Sequence, residues 1–580
     1  MKTNNCEEYI VSNSKYEKQW DELFLFISES QLKDQLLWKL LIAPYISKTD
    51  DFDEGWRGEF WGKLMRGSAL IYAYCQDEEL YEILVNAIEG LLATQEDNGR
   101  FSSYSKSVEF TGWDMWSRKY VLLGMQYFYD VCKDENLKCR MLNAMQLHAD
   151  YIMDKVGFGD GQKAIRETSN YHSGYNAFSI LQPIVKMYKL TKNEKYLDYA
   201  KQMIDSEYEN GKLFALAKEN KLYPYQYPIT KAYEIMSCFE GLIEYFEVVG
   251  DETYLLTAKG YADKILETDF AIIGACGGHD EYFDNSTKTQ VLKTEVNKFE
   301  TCVTVTLMKF LTALYRHTGE KRYLDAIEKS FYNAYLGALI DSKSTHFGLP
   351  LFYSYSPVCK NERWTLMGGG KTISAYARFG CCISIGAAGL GVIPTLDVVE
   401  RNNEIVIGLF IAGKYQLSDA ILSIQTEYPY DGLVRINLEK ANSKRIIKLR
   451  VPAWCKNFSI DREYSVEDGY IVIELSQGES IEYSMEMSYE EISSKTVNSE
   501  VEELFAVMCG PVVLCADSCE TDLYKGYKLA RNNGNLICEK KKDAYIFELE
   551  SGEKLTLREY RFTGKNYTYP REISVWLNKN

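Results

Sequence analysis

Glu300-Thr301-Cys302 and the adjacent pair Cys381-Cys382 place one carboxylate and three thiols in two short strings about eighty residues apart. Four such donors are the number a tetrahedral zinc site takes, and thiolate sulfur suits zinc. A ligand must lose its proton to bind, and the thiolate so produced is also the nucleophilic form of cysteine. The residues alone leave two readings open, a structural zinc knot and a metal-tuned cysteine nucleophile. Two buried thiols side by side, or a vicinal disulfide, are the plainer accounts of Cys381-Cys382. An E-x-C string with a C-C pair is also not the usual structural-zinc spacing of paired C-x₂-C motifs.

A second candidate is Gly277-Gly278-His279-Asp280-Glu281-Tyr282-Phe283, a glycine-rich loop carrying two carboxylates and an imidazole. Such a loop lets backbone approach a ligand closely, and Glu281 could act as general acid and then base. The plainer account is a turn in which Asp280 caps the next element. Of five histidines, His148 and His317 fall in helical patterns or their turns, whereas His172 and His279 fall in loops and are candidates for binding sugar hydroxyls. Trp113-Asp114-Met115-Trp116-Ser117-Arg118-Lys119-Tyr120 sets polar groups among aromatics, either as a cleft wall or as packing with solvated charges.

Elements must bring these strings together. Up to about residue 390 the apolar pattern is helical, and a helix ending in Tyr, a polar turn and a second helix with an acidic start recur at Tyr74, Tyr129, Tyr188, Tyr245 and Tyr315. The spacings of 55, 59, 57 and 70 residues exceed the roughly 34–47 residues of common helical solenoids. They suit an (α/α)6 toroid whose long loops line a pocket. From about residue 396 the period switches to two, as in Glu404–Ile411, Arg445–Val451, Tyr470–Leu475, Leu504–Met508 and Ala544–Leu549, which predicts one or two antiparallel β-sandwiches. The expected units are a helical barrel over 1–395, a sandwich over 396–495, and a second sandwich or β-rich segment over 496–580. The fold class is therefore α+β and multidomain.

With 66 basic against 83 acidic residues, the net charge of −17 argues against nucleic acid or an anionic membrane as partner. The start of the chain shows no apolar signal region, and no stretch reaches the ~18 apolar residues of a membrane span, so a cytoplasmic address is expected. Fifteen cysteines, an odd number, argue against a disulfide framework. Aromatics at 14% of residues serve a packed core or a cleft for an uncharged sugar equally well.

The residues also resemble a known family, glycoside hydrolase family 127, the β-L-arabinofuranosidases. The likeness runs through Gly58-Glu59-Phe60-Trp61-Gly62-Lys63, Trp113 to Tyr120, Ser179 to Val185, the His279-to-Phe283 loop, Glu300-Thr301-Cys302, Cys381-Cys382 and Gly510-Pro511-Val512-Val513-Leu514. It implies zinc held by Glu300, Cys302, Cys381 and Cys382, with Cys381 as nucleophile, Glu281 as acid/base, and net retention. Trp113, His172, His279 and Tyr353 are the residues expected to meet the sugar, and the expected partner is an oligosaccharide or small glycoside; a homodimer is compatible with this. Three departures bear on the sugar: Arg118-Lys119 stands where the family tends to have a histidine before the Tyr, no obvious counterpart of a sugar-binding glutamate occurs near Phe352 to Val358, and Ile-Ser-Ile-Gly follows the cysteine pair in place of Pro-Pro-Asn. The rival readings are a different glycoside-processing toroid with a structural zinc, and a non-catalytic carbohydrate-binding scaffold.

Overall fold

The computed structural model describes residues 9–50, 58–293, 299–340, 351–363, 371–374, 377–497, 499, 501–565 and 571–580. Each recurring Tyr motif closes a helical hairpin. The pairs are α1 (Gly58–Cys75) with α2 (Glu78–Leu92), α3 (Asp114–Val131) with α4 (Glu135–Lys155), α5 (Leu181–Thr191) with α6 (Glu194–Glu207), α7 (Ala232–Val249) with α8 (Glu252–Thr268), and α9 (Thr301–Thr318) with α10 (Lys321–Ser330). The polar turns do local work. Asp77, Asp134, Asn193 and Asp251 accept backbone N–H bonds at the starts of α2, α4, α6 and α8, which satisfies donors that a helix leaves orphaned.

The second helix of each pair is amphipathic. In α2 the buried residues Leu80, Ile83, Leu84, Ala87, Ile88 and Leu91 form one stripe, as a helix with a solvated back requires. The first helices are buried on most sides, and α11 (Cys381–Gly391) is buried throughout. These six pack in sequence, α1 on α3, α3 on α5, α5 on α7, α7 on α9, α9 on α11, and α11 back on α1. The chain strings of interest thus start helices of one closed ring.

The tightest seam is between α1 and α3, where a Cβ on Gly62 would lie 1.9 Å from the Tyr120 carbonyl oxygen. Backbone cannot yield as a flexible side chain does. Gly62→Ala is expected to destabilise the helical unit by about 3 kcal/mol, a drop of roughly 6 °C or more in a thermal melt.

Beyond the helices the chain is β-rich. One six-stranded sheet includes Val398–Arg401, Glu404–Ile407, Arg445–Arg450 and Tyr470–Leu475, and a second includes Gly413–Gln416, Ala420–Thr426, Leu433–Ala441 and Ser480–Met485. Inward residues of both, such as Ile424, Ile436, Leu449 and Ile473, join one apolar cluster. The strands Tyr9–Val11 and Asn13–Tyr16 extend these sheets, one on each. A third sheet contains Leu504–Cys509, Val512–Asp517 and Lys554–Glu559. It braces the loop that follows Tyr353: the Val575 N–H donates to the Val358 carbonyl at 2.9 Å, and the Tyr560 hydroxyl to that of Pro357 at 2.8 Å. Among the described residues no helix is long and apolar enough to cross a membrane, and the described cysteines are free thiols.

Candidate active site

Glu300 is the N-cap residue of α9, Cys302 follows in its first turn, and Cys381 and Cys382 open α11. Both strings therefore sit at helix N-termini, where the backbone dipoles favour thiolate and carboxylate. The Thr301 N–H donates to the Ser354 carbonyl at 2.9 Å, its hydroxyl to the Tyr353 carbonyl at 2.7 Å, and the Cys382 thiol lies 3.8 Å from the Ser354 carbonyl. The loop braced by the third sheet thus holds both ends of the cluster.

The four donor atoms lie within 4.8 Å of one another. Glu300 Oε2 is 3.4 Å from Cys302 Sγ, 3.6 Å from Cys382 Sγ and 3.8 Å from Cys381 Sγ, and the Cys381 and Cys382 sulfurs are 3.8 Å apart. Metal–sulfur bonds of about 2.3 Å and metal–oxygen bonds of about 2.0 Å set tetrahedral donors roughly 3.5–3.8 Å apart, so the cluster has the dimensions of a zinc site. Cys302 and Cys382 are 0% exposed and Cys381 7%, so of the three only Cys381 keeps any accessible surface. Without a cation the thiols share protons. Hydrogen bonds from Cys302 and Cys381 overcome burial and hold Cys382 down to about 6, while burial is the main cause lifting Cys302 well above the usual thiol range.

Glu281 meets this cluster from the glycine-rich loop, its Oε1 accepting from Cys302 Sγ at 3.0 Å. Asp280 and Glu281 both adopt left-handed backbone, φ 48° and 62°, a conformation that costs a non-glycine residue about 1–3 kcal/mol and that clusters at functional sites. The start of α7 pins the loop: the Ala232 N–H donates to the Glu281 carbonyl and the Phe283 N–H to the Thr230 carbonyl, both at 2.8 Å. Lys231 closes the arrangement, its Nζ 2.5 Å from Glu281 Oε2. Burial works to raise the Glu281 carboxyl, but the Lys231 charge and bonds from Glu300 and Cys302 outweigh it and hold it at about 2. Lys231→Met removes the largest of these lowering influences. In metal-free protein the Glu281 titration, followed by ¹³C NMR, is expected to move up by one unit or more.

Of the residues expected to meet a sugar, Trp113 and His172 come together, their ring centroids 5.9 Å apart, with Tyr171 stacked on Trp113 at 5.1 Å and Tyr282 6.4 Å from His172. Burial, and then Lys231, lowers His172 to about 4, which leaves a neutral ring for hydroxyl groups. His279 lies on the outer side of the same loop, paired with Asp280 at 3.2 Å. Tyr353 is buried and reaches the cluster through its carbonyl. His148 is buried in α4, its Nδ1 accepting from the Phe101 N–H at 3.1 Å, and His317 ends α9 against Glu247 at 2.7 Å.

Reading the residues left out several groups on the floor of the site. Glu59 and Lys63, one turn apart on α1, form a buried ion pair at 2.9 Å, and the Trp116 indole donates to Glu59. Lys63 Nζ sits 4.4 Å from the Tyr233 ring centroid, and the Tyr233 and Tyr120 hydroxyls are 2.5 Å apart. Burial lifts Glu59 to about 7 against the pull of Lys63, and Glu234, in the first turn of α7, to about 8 against Lys231. The one signal available was the inclusion of Glu59 and Lys63 in a stretch that matched the resemblance.

Comparison with known proteins bears on the family and the fold. The family model described as "Beta-L-arabinofuranosidase, GH127 catalytic domain" matches residues 8–391, and that of the GH127 middle domain matches residues 404–487. Among solved structures, the GH127 β-arabinofuranosidase BT3674 superposes with a TM-score of 0.74 at 17% identity over 99% of this chain and 98% of its own. Ara127N, a GH127 β-L-arabinofuranosidase from Geobacillus stearothermophilus T6, gives a TM-score of 0.72 at 17% identity over 98% of this chain and 100% of its own. A structure described as a glycoside hydrolase gives 0.73 at 16% identity over 100% and 98%. At these identities the superpositions establish the fold. No curated protein matches the sequence.

Proposed function

The chain belongs to glycoside hydrolase family 127, the β-L-arabinofuranosidase family, and from that premise we propose that it hydrolyses β-L-arabinofuranosides with retention, through Cys381 as nucleophile and Glu281 as acid and then base. The observation that carries this reading is the cluster itself: sulfurs 3.4–3.8 Å from Glu300 Oε2, with Cys381 the one thiol of the three that keeps accessible surface and Glu281 in contact with Cys302. Zinc, when bound by Glu300, Cys302, Cys381 and Cys382, keeps the sulfurs ionised and tempers the basicity of Cys381, so that it can attack and later leave.

In the first step Cys381 Sγ attacks the anomeric carbon, the glycosidic C–O bond breaks, and Glu281 gives its proton to the leaving oxygen. In the second, Glu281 takes a proton from water, the water oxygen attacks the anomeric carbon, and the C–S electron pair returns to Cys381. Without metal, the upward push of burial on Glu281 is outweighed by Lys231 and the bonds from Glu300 and Cys302, which hold it low. As zinc ligands, Cys302 and Glu300 would lose those protons. The net negative charge of four anionic ligands around a divalent ion would then move the carboxyl up, toward the range in which it can give a proton and take one back. Trp113 and His172 would bind the sugar at the mouth, His279 and Tyr353 lending the loops that frame it.

We also read the closed ring of inner helices as an (α/α)6 barrel, with unit boundaries near 395 and 495, and the working compartment as the cytoplasm, where short oligosaccharides are the substrates. The deciding experiment is phenol release from an aryl β-L-arabinofuranoside together with metal analysis. Turnover with one zinc per chain, lost on chelation and restored by zinc, is the expected result. Zinc-loaded protein that leaves this substrate untouched would refute the sugar assignment.

A further inference from the structure

Beneath the reaction centre the helical ring encloses charges that the chemistry above does not use. Arg66 of α1, Lys119 of α3, Glu240 of α7 and Lys309 of α9 come from four inner helices, with exposures of 1, 1, 7 and 7%. Arg66 Cζ and Lys119 Nζ lie 5.6 and 4.9 Å from the centroid of the same ring, that of Tyr120. Lys309 is near enough for its charge to bear on Lys119 and for that of Arg66 to bear on it. Lys63 stands 5.1 Å from the same centroid and its charge also bears on Lys309, but it has its own partner in Glu59. Beside that pair, three cations gather around one carboxylate.

That carboxylate is already engaged. Glu240 offers Lys309 both of its oxygens, at 2.9 and 3.1 Å. Arg66 Nε and Nη2, sealed from solvent, meet no acceptor among the described residues. Buried donors are nearly always satisfied, and a buried charge without a partner is more expensive still. Lysines can relieve the crowding by losing protons: burial puts Lys119 well below the usual lysine range, and burial followed by the Arg66 charge brings Lys309 to about 8. A guanidinium has no such escape. Even with both lysines neutral, two Arg66 N–H groups still need an acceptor.

We propose that a small inorganic anion, a halide such as chloride, sits on the axis of the ring between Arg66, Lys119 and Lys309. A halide accepts from several converging donors at once and is given up by water more readily than a carboxylate of equal charge. The Lys63–Glu59 ion pair and the Tyr120–Tyr233 hydroxyl pair adjoin this cluster with their own partners, which leaves the Arg66 N–H groups as the donors the anion would serve.

Crystals of the full-length zinc-loaded protein soaked in sodium bromide provide the test. An anomalous bromine peak in hydrogen-bond contact with Arg66 Nε or Nη2 is expected. In solution, replacing gluconate by chloride at constant ionic strength should raise the melting temperature saturably, by roughly 2–4 °C, and Arg66→Met should abolish that rise. If Arg66→Met does not fold, the wild-type peak and wild-type melting decide together. Water density without anomalous signal overturns the proposal. So does a peak without halide-dependent melting, which marks an adventitious ion only, or halide-dependent melting with no peak at Arg66, which places the site elsewhere.

Discussion

Cys381→Ser is expected to lower kcat/KM on an aryl β-L-arabinofuranoside by at least about 10⁴-fold, close to 5.5 kcal/mol of transition-state stabilisation, with the circular dichroism spectrum unchanged. The reason is chemical and not steric. Serine matches cysteine in shape, but its hydroxyl is not ionised at neutral pH, even at the helix N-terminus that Cys381 occupies. Cys382→Ser is the informative control, because Cys382 is 0% exposed and cannot reach an anomeric carbon. Its loss should track zinc content and recover with added zinc, whereas the Cys381→Ser defect should persist at full zinc occupancy. Acid-quenched wild-type enzyme should carry a pentosyl mass increment on the peptide containing Cys381. A Cys381→Ser enzyme that keeps a tenth of wild-type turnover would return the cluster to the rank of a structural knot.

What could be read from residues alone followed from how unusual or how periodic they are. One carboxylate and three thiols in two tight strings have few other uses, and their placement at helix starts was legible because an apolar helical run follows each. The hairpins were legible because tyrosines and capping residues recur at each turn. The Glu59–Lys63 pair was not. Glu and Lys four apart on a helix ordinarily make a solvated surface pair, and only closure of the ring puts this one at 2–3% side-chain exposure. Lys231 and Glu234 were hidden for the same reason, since their importance comes from a loop fifty residues away folding onto the start of α7. The left-handed backbone at Glu281 has no sequence signature, because glutamate, unlike the Asp280 before it, is not a residue that favours that region. Nor does anything in residues 504–577 announce that their sheet braces the loop under Glu300 and Cys382.

Glu281→Gln separates the two halves of the proposed reaction. Glutamine keeps the size of the side chain and can still accept from Cys302, but it can neither give a proton to a leaving oxygen nor take one from water. For a glycoside with a poor leaving group the expected loss is about 10³-fold, or about 4 kcal/mol. A dinitrophenyl glycoside needs no proton to depart, so its first step should survive and the cysteine-bound sugar should accumulate. Azide requires no base to attack, and adding it should restore turnover of the activated substrate and yield the β-L-arabinofuranosyl azide. The configuration of that product matters more than its rate. Two displacements, the first by Cys381 and the second by azide, return the anomeric carbon to its starting hand, whereas direct attack by azide on the substrate gives the α product. An α-azide would therefore remove Cys381 from the reaction path even if Glu281→Gln behaved as expected in every other respect.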